Sequence, residues 1–236
     1  MQIFLVFFLW DSVFSGSERV VFGYDRARIL TYIFGILLVK SLVYSSRSID
    51  VAGEISRGDL SNYLTKPISY FRYWFTRDLS SKALNIIFAS FEAILLYFLL
   101  KPPFFLQSNP LAVLLFLISL IFAIFIYYNL VFLFSMFPFW QPEQAWGAIF
   151  LFFIFSDFLG GGIFPIDILP LSFQKILYST PFPYLLFTPL QIYLGKLTIA
   201  QSLKSLFVGG FWALALAILV KRIWNSGLKN YRAEGR

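Results

Sequence analysis

GEISRGDLSNYLTKP, residues 53–67, and FLGGGIFPIDILP, residues 158–170, decide the fold, because each interrupts an otherwise apolar chain in a different way. The first is too polar to lie in lipid and too short to be a domain. The second is too apolar, and too rich in Gly and Pro, for a solvated loop. Around them 59% of the 236 residues are hydrophobic, 21% aromatic and only 13% charged, against roughly 25% charged in a soluble domain. The apolar runs reach or approach the ~20 residues that cross a ~30 Å hydrocarbon core. This predicts an all-α integral membrane protein, a single membrane domain with no soluble domain of ordinary size left over.

Six spans are expected, at about 2–15, 29–46, 83–100, 111–135, 146–160 and 205–221. The first is short; no basic region precedes it and no small-residue cleavage site follows it, so it reads as a helix rather than a signal peptide. A polar link from Gly16 to Arg28 leads to the second. Lys101-Pro102-Pro103 should stop the third, since Pro lacks the amide donor, and Lys221 with Arg222 mark the end of the sixth. Between spans two and three lies a polar loop, 47–82, whose portion SYFRYWFTRDL (69–79) is suited to the lipid headgroups. That loop holds six Lys or Arg and the segment after 220 holds five, against seven in the opposite segments. The bias puts the loop and both termini in the cytoplasm. From 161 to 204 the only charges are Asp167, Lys175, Lys196 and Lys204, and five prolines break the run. Such a segment fits external re-entrant helices covered by protein or water.

Cys and His are both absent, which removes disulfides, thiolate or imidazole metal sites and His-dependent catalysis. No GxxxxGK[ST] loop occurs, so the chain cannot itself use ATP. The net charge of +7 reads as basic cytoplasmic flanks rather than a nucleic-acid surface. Three ionisable residues fall inside spans: Lys40, Glu92 and Asp157. Such residues are costly in hydrocarbon and are functional candidates by default; an ion pair between Lys40 and Glu92 is expected, with Asp157 near the outer end of span five. Gly160, Gly161 and Gly162, followed by Pro165, point to close packing and a sharp turn. In 53–67, Glu54, Arg57, Asp59 and Lys66 alternate in charge, Leu60 and Leu64 are spaced as on one face of a short helix, and Pro67 ends the pattern. On pattern alone this segment is either a docking helix or a solvated loop.

LWDSVFSG followed by FGYDRARILTYIF (9–34), GEISRGDLSNYLTKP, FPFWQPEQAWG (137–147), and FLGGGIFPIDILP with PFPYLLFTPLQIYLG (181–195) occur in the order found in one family. The chain resembles the ABC-2 type permeases of ATP-binding-cassette exporters, in particular the daunorubicin-exporter-like branch. The resemblance implies a six-helix half-transporter in the plasma membrane, paired with a second permease copy or paralogue and with separate ATPase chains that carry ATP and Mg. It maps the ATPase-coupling loop onto Glu54, Arg57, Gly58, Asp59, Leu60, Leu64 and Pro67, and outer-leaflet helices onto about 162–184. Relatives carry a full first helix behind an amphipathic segment, whereas this chain begins part-way into that helix. Two other classes fit the composition: an ion-coupled secondary transporter using Lys40, Glu92 or Asp157, and a non-transporting membrane assembly protein. The first usually shows two related halves, and none are visible here. A membrane enzyme would lack His and would have its acids at different depths.

Overall fold

A computed structural model describes residues 2–14, 20 and 22–231; residues 16–19 and 21 of the polar link, and the last five residues, lie outside the described set. Every regular element is helical: α1 Gln2–Phe14, α2 Arg26–Val43, α3 Asp50–Ser56, α4 Ser61–Leu64, α5 Tyr70–Leu100, α6 Pro110–Ser135, α7 Gly147–Leu159, α8 Leu171–Tyr178, α9 Phe187–Tyr193 and α10 Ile199–Asn230. Among the described residues, α5, α6 with its continuation to Phe139, and α10 are long and apolar enough to cross a membrane. A fourth crossing is present if α2 and residues 47–56, bent by 50° at their junction, count as one span. α1 and α7 have 13 residues each, below the ~20 of a full crossing.

The helix ends follow from local chemistry. Asp25 caps α2 by accepting the Arg28 amide at 2.6 Å, and Asn109 caps α6 with Pro110 in its first turn. Thr198 and Gln201 form a reciprocal capping box on α10, satisfying amides that have no intrahelical acceptor. α5 stops at Lys101, whose backbone is left-handed, just before the two prolines. Two expected boundaries move. Residues 70–82, assigned to a loop, are the first turns of α5, and Tyr70 and Trp74 on their inner face are buried in the core rather than spread among headgroups. The last span, expected over 205–221, is part of a helix running from Ile199 to Asn230.

α6 is the hub, packing on α10, α9, α7 and α2. α2 and α5 are antiparallel: Lys82 reaches the last carbonyls of α2, while beyond the other end of α5 the Phe105 amide donates to Thr31 Oγ1 at 2.8 Å. α10 runs parallel to α6, with Gly209 and Gly210 against Phe122 near its top and Trp224 against Phe132 near its foot. The bundle thus has an α3 end and an α9 end. At the α3 end an aromatic cluster of Tyr70, Trp74, Phe132, Phe139 and Trp224 closes over Val51, Ile55 and Leu60. At the other end α9 is enclosed, with every residue from Phe187 to Ile192 buried. Outward, α5 and α10 present Phe88, Phe91, Phe98, Phe207, Phe211 and Leu214, an apolar surface far larger than a soluble monomer leaves in water.

Candidate functional site

The junction between α2 and α3 is held by a buried ion pair that sits one helical turn apart on α5. Asp78 and Lys82 have side chains 0% and 3% exposed and approach to 3.3 Å. Lys82 Nζ donates to the carbonyls of Leu42, Val43 and Ser45 at 3.0, 3.0 and 2.8 Å. These are carbonyls at the C-terminus of α2, where the helix leaves acceptors unpaired and its dipole favours a cation. Asp78 Oδ1 accepts the Arg47 amide at 2.7 Å, at the start of the 3₁₀ turn Arg47–Ile49 that leads into α3. One pair on α5 therefore fixes both sides of the 50° bend. In the sequence the two lie in a stretch that reads as polar, and their i,i+4 spacing is the signal that could have found the pair.

The 53–67 segment is structured rather than a loop, and its residues divide into anchors and exposed groups. Leu60, expected on a docking face, is fully buried under Trp74 and Tyr70. Gly58 has a φ of +79°, a conformation that glycine adopts without steric cost, and its carbonyl accepts from Tyr231 Oη at 2.6 Å and Ser61 Oγ at 2.8 Å. It is a turn residue tied to the end of α10, not a gap left for a partner. Glu54 is buried and accepts from Tyr70 Oη at 2.5 Å. Tyr63 above it is pushed well up from the ordinary phenol range, by its hydrogen bond to Tyr73, by burial and by Glu54. Arg57 and Asp59 pair at 2.9 Å in the open, and Leu64 and Pro67 are exposed. Glu54, Arg57, Asp59, Asn62, Tyr63 and Lys66 line a polar cavity of about 520 Å3.

In the middle of the bundle Lys40 pairs with Asp157 on α7 at 2.6 Å. The expected Lys40–Glu92 pair does not form. Glu92 is exposed, and the buried positions of α5 around its level are Ala89 and Leu96. Just above, α7 ends in the glycine turn. A Cβ on Gly160 would meet Ser156 O at 2.5 Å and Tyr44 Oη at 2.7 Å, Gly161 has a φ of +81°, and a Cβ on Gly162 would collide with Asp157 Oδ1. Tyr32 Oη donates to Gly161 O at 2.7 Å and Phe187 N to Gly160 O at 3.1 Å. The turn thus seats α9 on α2, and buried Pro165 carries the chain into the 3₁₀ turn Ile166–Ile168.

The α9 end has its own polar network, which the sequence showed only as scattered charges. Lys196 donates to Asp167 at 2.6 Å and its ammonium lies 3.2 Å from the centre of the Tyr24 ring. Tyr24 donates to Asp167 at 3.1 Å, and buried Gln191 donates to both Tyr24 and Asp167. Burial pushes the Lys196 ammonium down from its ordinary range while Asp167 pulls it back, and burial with Asp167 pushes the Tyr24 phenol up. Tyr24 therefore stays protonated as donor. The network pins the segment before α2 to the segment after α9.

Among the described residues no group of three or more His, Cys, Asp or Glu could hold a metal ion. What the arrangement provides is mechanical: a polar face at one end, rigidly joined through Asp78 and Lys82 to helices that run the length of the bundle. A protein-family model described as ABC-2 family transporter protein matches residues 1–235. Searches of curated proteins and of solved structures returned no match.

Proposed function

The chain belongs to the ABC-2 transporter family, and from that premise we propose that it is the permease of an exporter, driven at its α3 end by a separate ATPase. Family membership makes it a membrane component of an ATP-binding-cassette transporter and implies an ATPase partner; in our reading ATP and Mg belong to that partner and this chain carries no cofactor. The observation that carries the proposal is the joint: α3 is enclosed and tied to α5 through Asp78, which accepts the Arg47 amide, and through buried Leu60, while Arg57, Asn62, Leu64 and Lys66 of the turn and α4 region are open. A push on such an element moves long helices rather than a loop.

In this reading α3, α4 and the residues to Pro67 form the cytoplasmic coupling element, with Arg57, Asp59, Leu64 and Lys66 facing the ATPase. α5 is ~46 Å long at 1.5 Å per residue, more than a ~30 Å core requires, so its first turns stand out of the hydrocarbon beside α3. Six crossings are completed by α1 and α7 as short spans, with α8 and α9 as re-entrant helices of the outer leaflet. A second permease copy or paralogue covers part of the outward apolar surface of the bundle, and lipid the rest, in the plasma membrane with both termini cytoplasmic. Lys40 is already neutralised by Asp157, which supports a structural role over ion coupling.

The test is purification of the tagged chain from its native membranes, followed by assay of ATP hydrolysis and identification of any co-purifying chain with a phosphate-binding loop. Such a chain, with hydrolysis absent from the permease alone, is expected. Leu64→Asp would bury a charge in the contact, which is expensive, and should remove the ATPase while leaving membrane insertion intact. Hydrolysis by the isolated chain, or an unchanged complex with Leu64→Asp, overturns the reading.

A further inference from the structure

Two cavities at the α9 end share Phe105 in their walls. One, of about 420 Å3, lies between α2, α5 and the 101–109 linker, with Phe34, Gly35, Leu38, Ala93, Tyr97 and Phe104 in its lining. Its volume is in the range of ~300–1,000 Å3 typical of small-molecule sites. Thirsty polar groups are scarce there: the Thr31 hydroxyl donates to Ala27 O and accepts from the Phe105 amide. The occupant of this half has to be apolar.

The second cavity, of about 360 Å3, has Arg28, Gln107, Asn109, Thr198 and Ser202 in its wall. Most of these are committed within the protein: Gln107 bonds Tyr193 O and the Asn109 amide, Thr198 caps α10 and Ser202 donates to Thr198 O. Arg28 is not. One terminal nitrogen reaches Asp25 at 3.3 Å and the guanidinium lies 5.1 Å above the Phe105 ring, but its buried Nε has no hydrogen-bond partner among the described residues. Of its five N–H donors one has a protein acceptor, and with the side chain 37% exposed the open part of the guanidinium is best suited by an anionic oxygen. Arg28 and Thr31 are three residues apart on α2 and so share a face. The cationic and apolar halves therefore lie end to end, offset by ~4.5 Å along the helix.

We propose that the two cavities form one site for an anionic amphiphile, with its acidic head on the open side of the Arg28 guanidinium and its tail across Phe105 in the apolar cavity. The Phe105 backbone is fixed by Thr31, so only the ring has to turn aside. The head could belong to a membrane lipid or be a free anion, and the two sources are separable by binding. Wild-type protein in a non-ionic detergent is titrated with lysophosphatidylglycerol, lysophosphatidylcholine and inorganic phosphate, and bound species are counted by native mass spectrometry. The anionic lysolipid should bind about fivefold or more tighter than the zwitterionic one, a discrimination of the size one charged contact supplies. Inorganic phosphate alone should not bind. Arg28→Gln should bring the ratio to about one and Arg28→Lys should keep part of it, while Ala93→Trp, filling the apolar half, should weaken both lysolipids about tenfold. Equal affinities in the wild type, a preference that survives Arg28→Gln, phosphate binding as tight as the anionic lysolipid, or no effect of Ala93→Trp would each overturn the proposal. No ATPase enters the assay, so its failure leaves the permease reading untouched.

Discussion

Lys40 shows how a single register decides which charges meet inside a membrane bundle. Glu92 and Asp157 both offer a carboxylate inside a span, but around the level of Glu92 it is Ala89 and Leu96 that α5 buries, whereas α7 is drawn in where Tyr44 Oη donates to Ser156 O at 2.6 Å. The Lys40 and Asp157 side chains are 33% and 23% exposed, so water screens part of their attraction and the pair is weaker than a fully buried one. Removing either partner still strands a charge in a poor solvent. Asp157→Asn and Lys40→Met should each lower the thermal midpoint, and the double variant should recover a coupling of about 1–2 kcal/mol. Strictly additive losses in that cycle, or an equal coupling between Lys40 and Glu92, would contradict the geometry.

Among the elements, the bend between α2 and α3 is the one whose behaviour depends on a few polar atoms. Three α2-end carbonyls are held by one ammonium, and orphaning such buried acceptors costs about 1–3 kcal/mol each. Lys82→Met should therefore free the bend: amides from Arg47 to Ser56 should exchange with solvent about tenfold faster or more, the factor that ~1.4 kcal/mol produces, while those of α6 stay protected. Unchanged exchange in 47–56 would mean that aromatic packing alone holds α3. The apolar middles of the long helices are legible in the sequence because length and hydropathy fix them: α6, expected at 111–135, runs Pro110–Ser135, and α5 ends at Leu100, before Lys101-Pro102-Pro103, whereas the polar first turns of α5 are not legible that way. The coupling segment was only half legible. Polarity sets 53–67 apart from the spans, but Leu60 and Leu64 read alike as one apolar face, and Leu60 looks the same in a sequence whether it meets a partner or the chain's own Trp74. Asp78 and Lys82 were missed because a charged stretch reads as solvated until the helix that buries it is known. Tyr24, Asp167, Gln191 and Lys196 come together from segments far apart in the chain, and no local spacing records that.

At the scale of the molecule, charge and exposed apolar surface give the bundle an orientation. The α3 end carries Arg47, Arg57, Lys66, Arg72, Arg77, Lys82, Lys221, Arg222 and Lys229, while the α9 end carries Arg26, Arg28, Lys101, Lys175, Lys196 and Lys204. Basic flanks are retained on the cytoplasmic side, so the proposed orientation sets the α3 end inward and the 101–109 linker outward. Because the chain contains no Cys, single introduced cysteines report on this without a background to remove. Ser226→Cys near the end of α10 and Ser108→Cys in the linker are both exposed positions. In intact cells a membrane-impermeant maleimide should label Ser108→Cys and should reach Ser226→Cys only after permeabilisation. The reverse pattern would invert the orientation and remove the α3 face from the compartment that holds ATP. Labelling of both positions from one side would mean that the α9 end and the foot of α10 share a compartment, which is incompatible with α10 crossing the membrane.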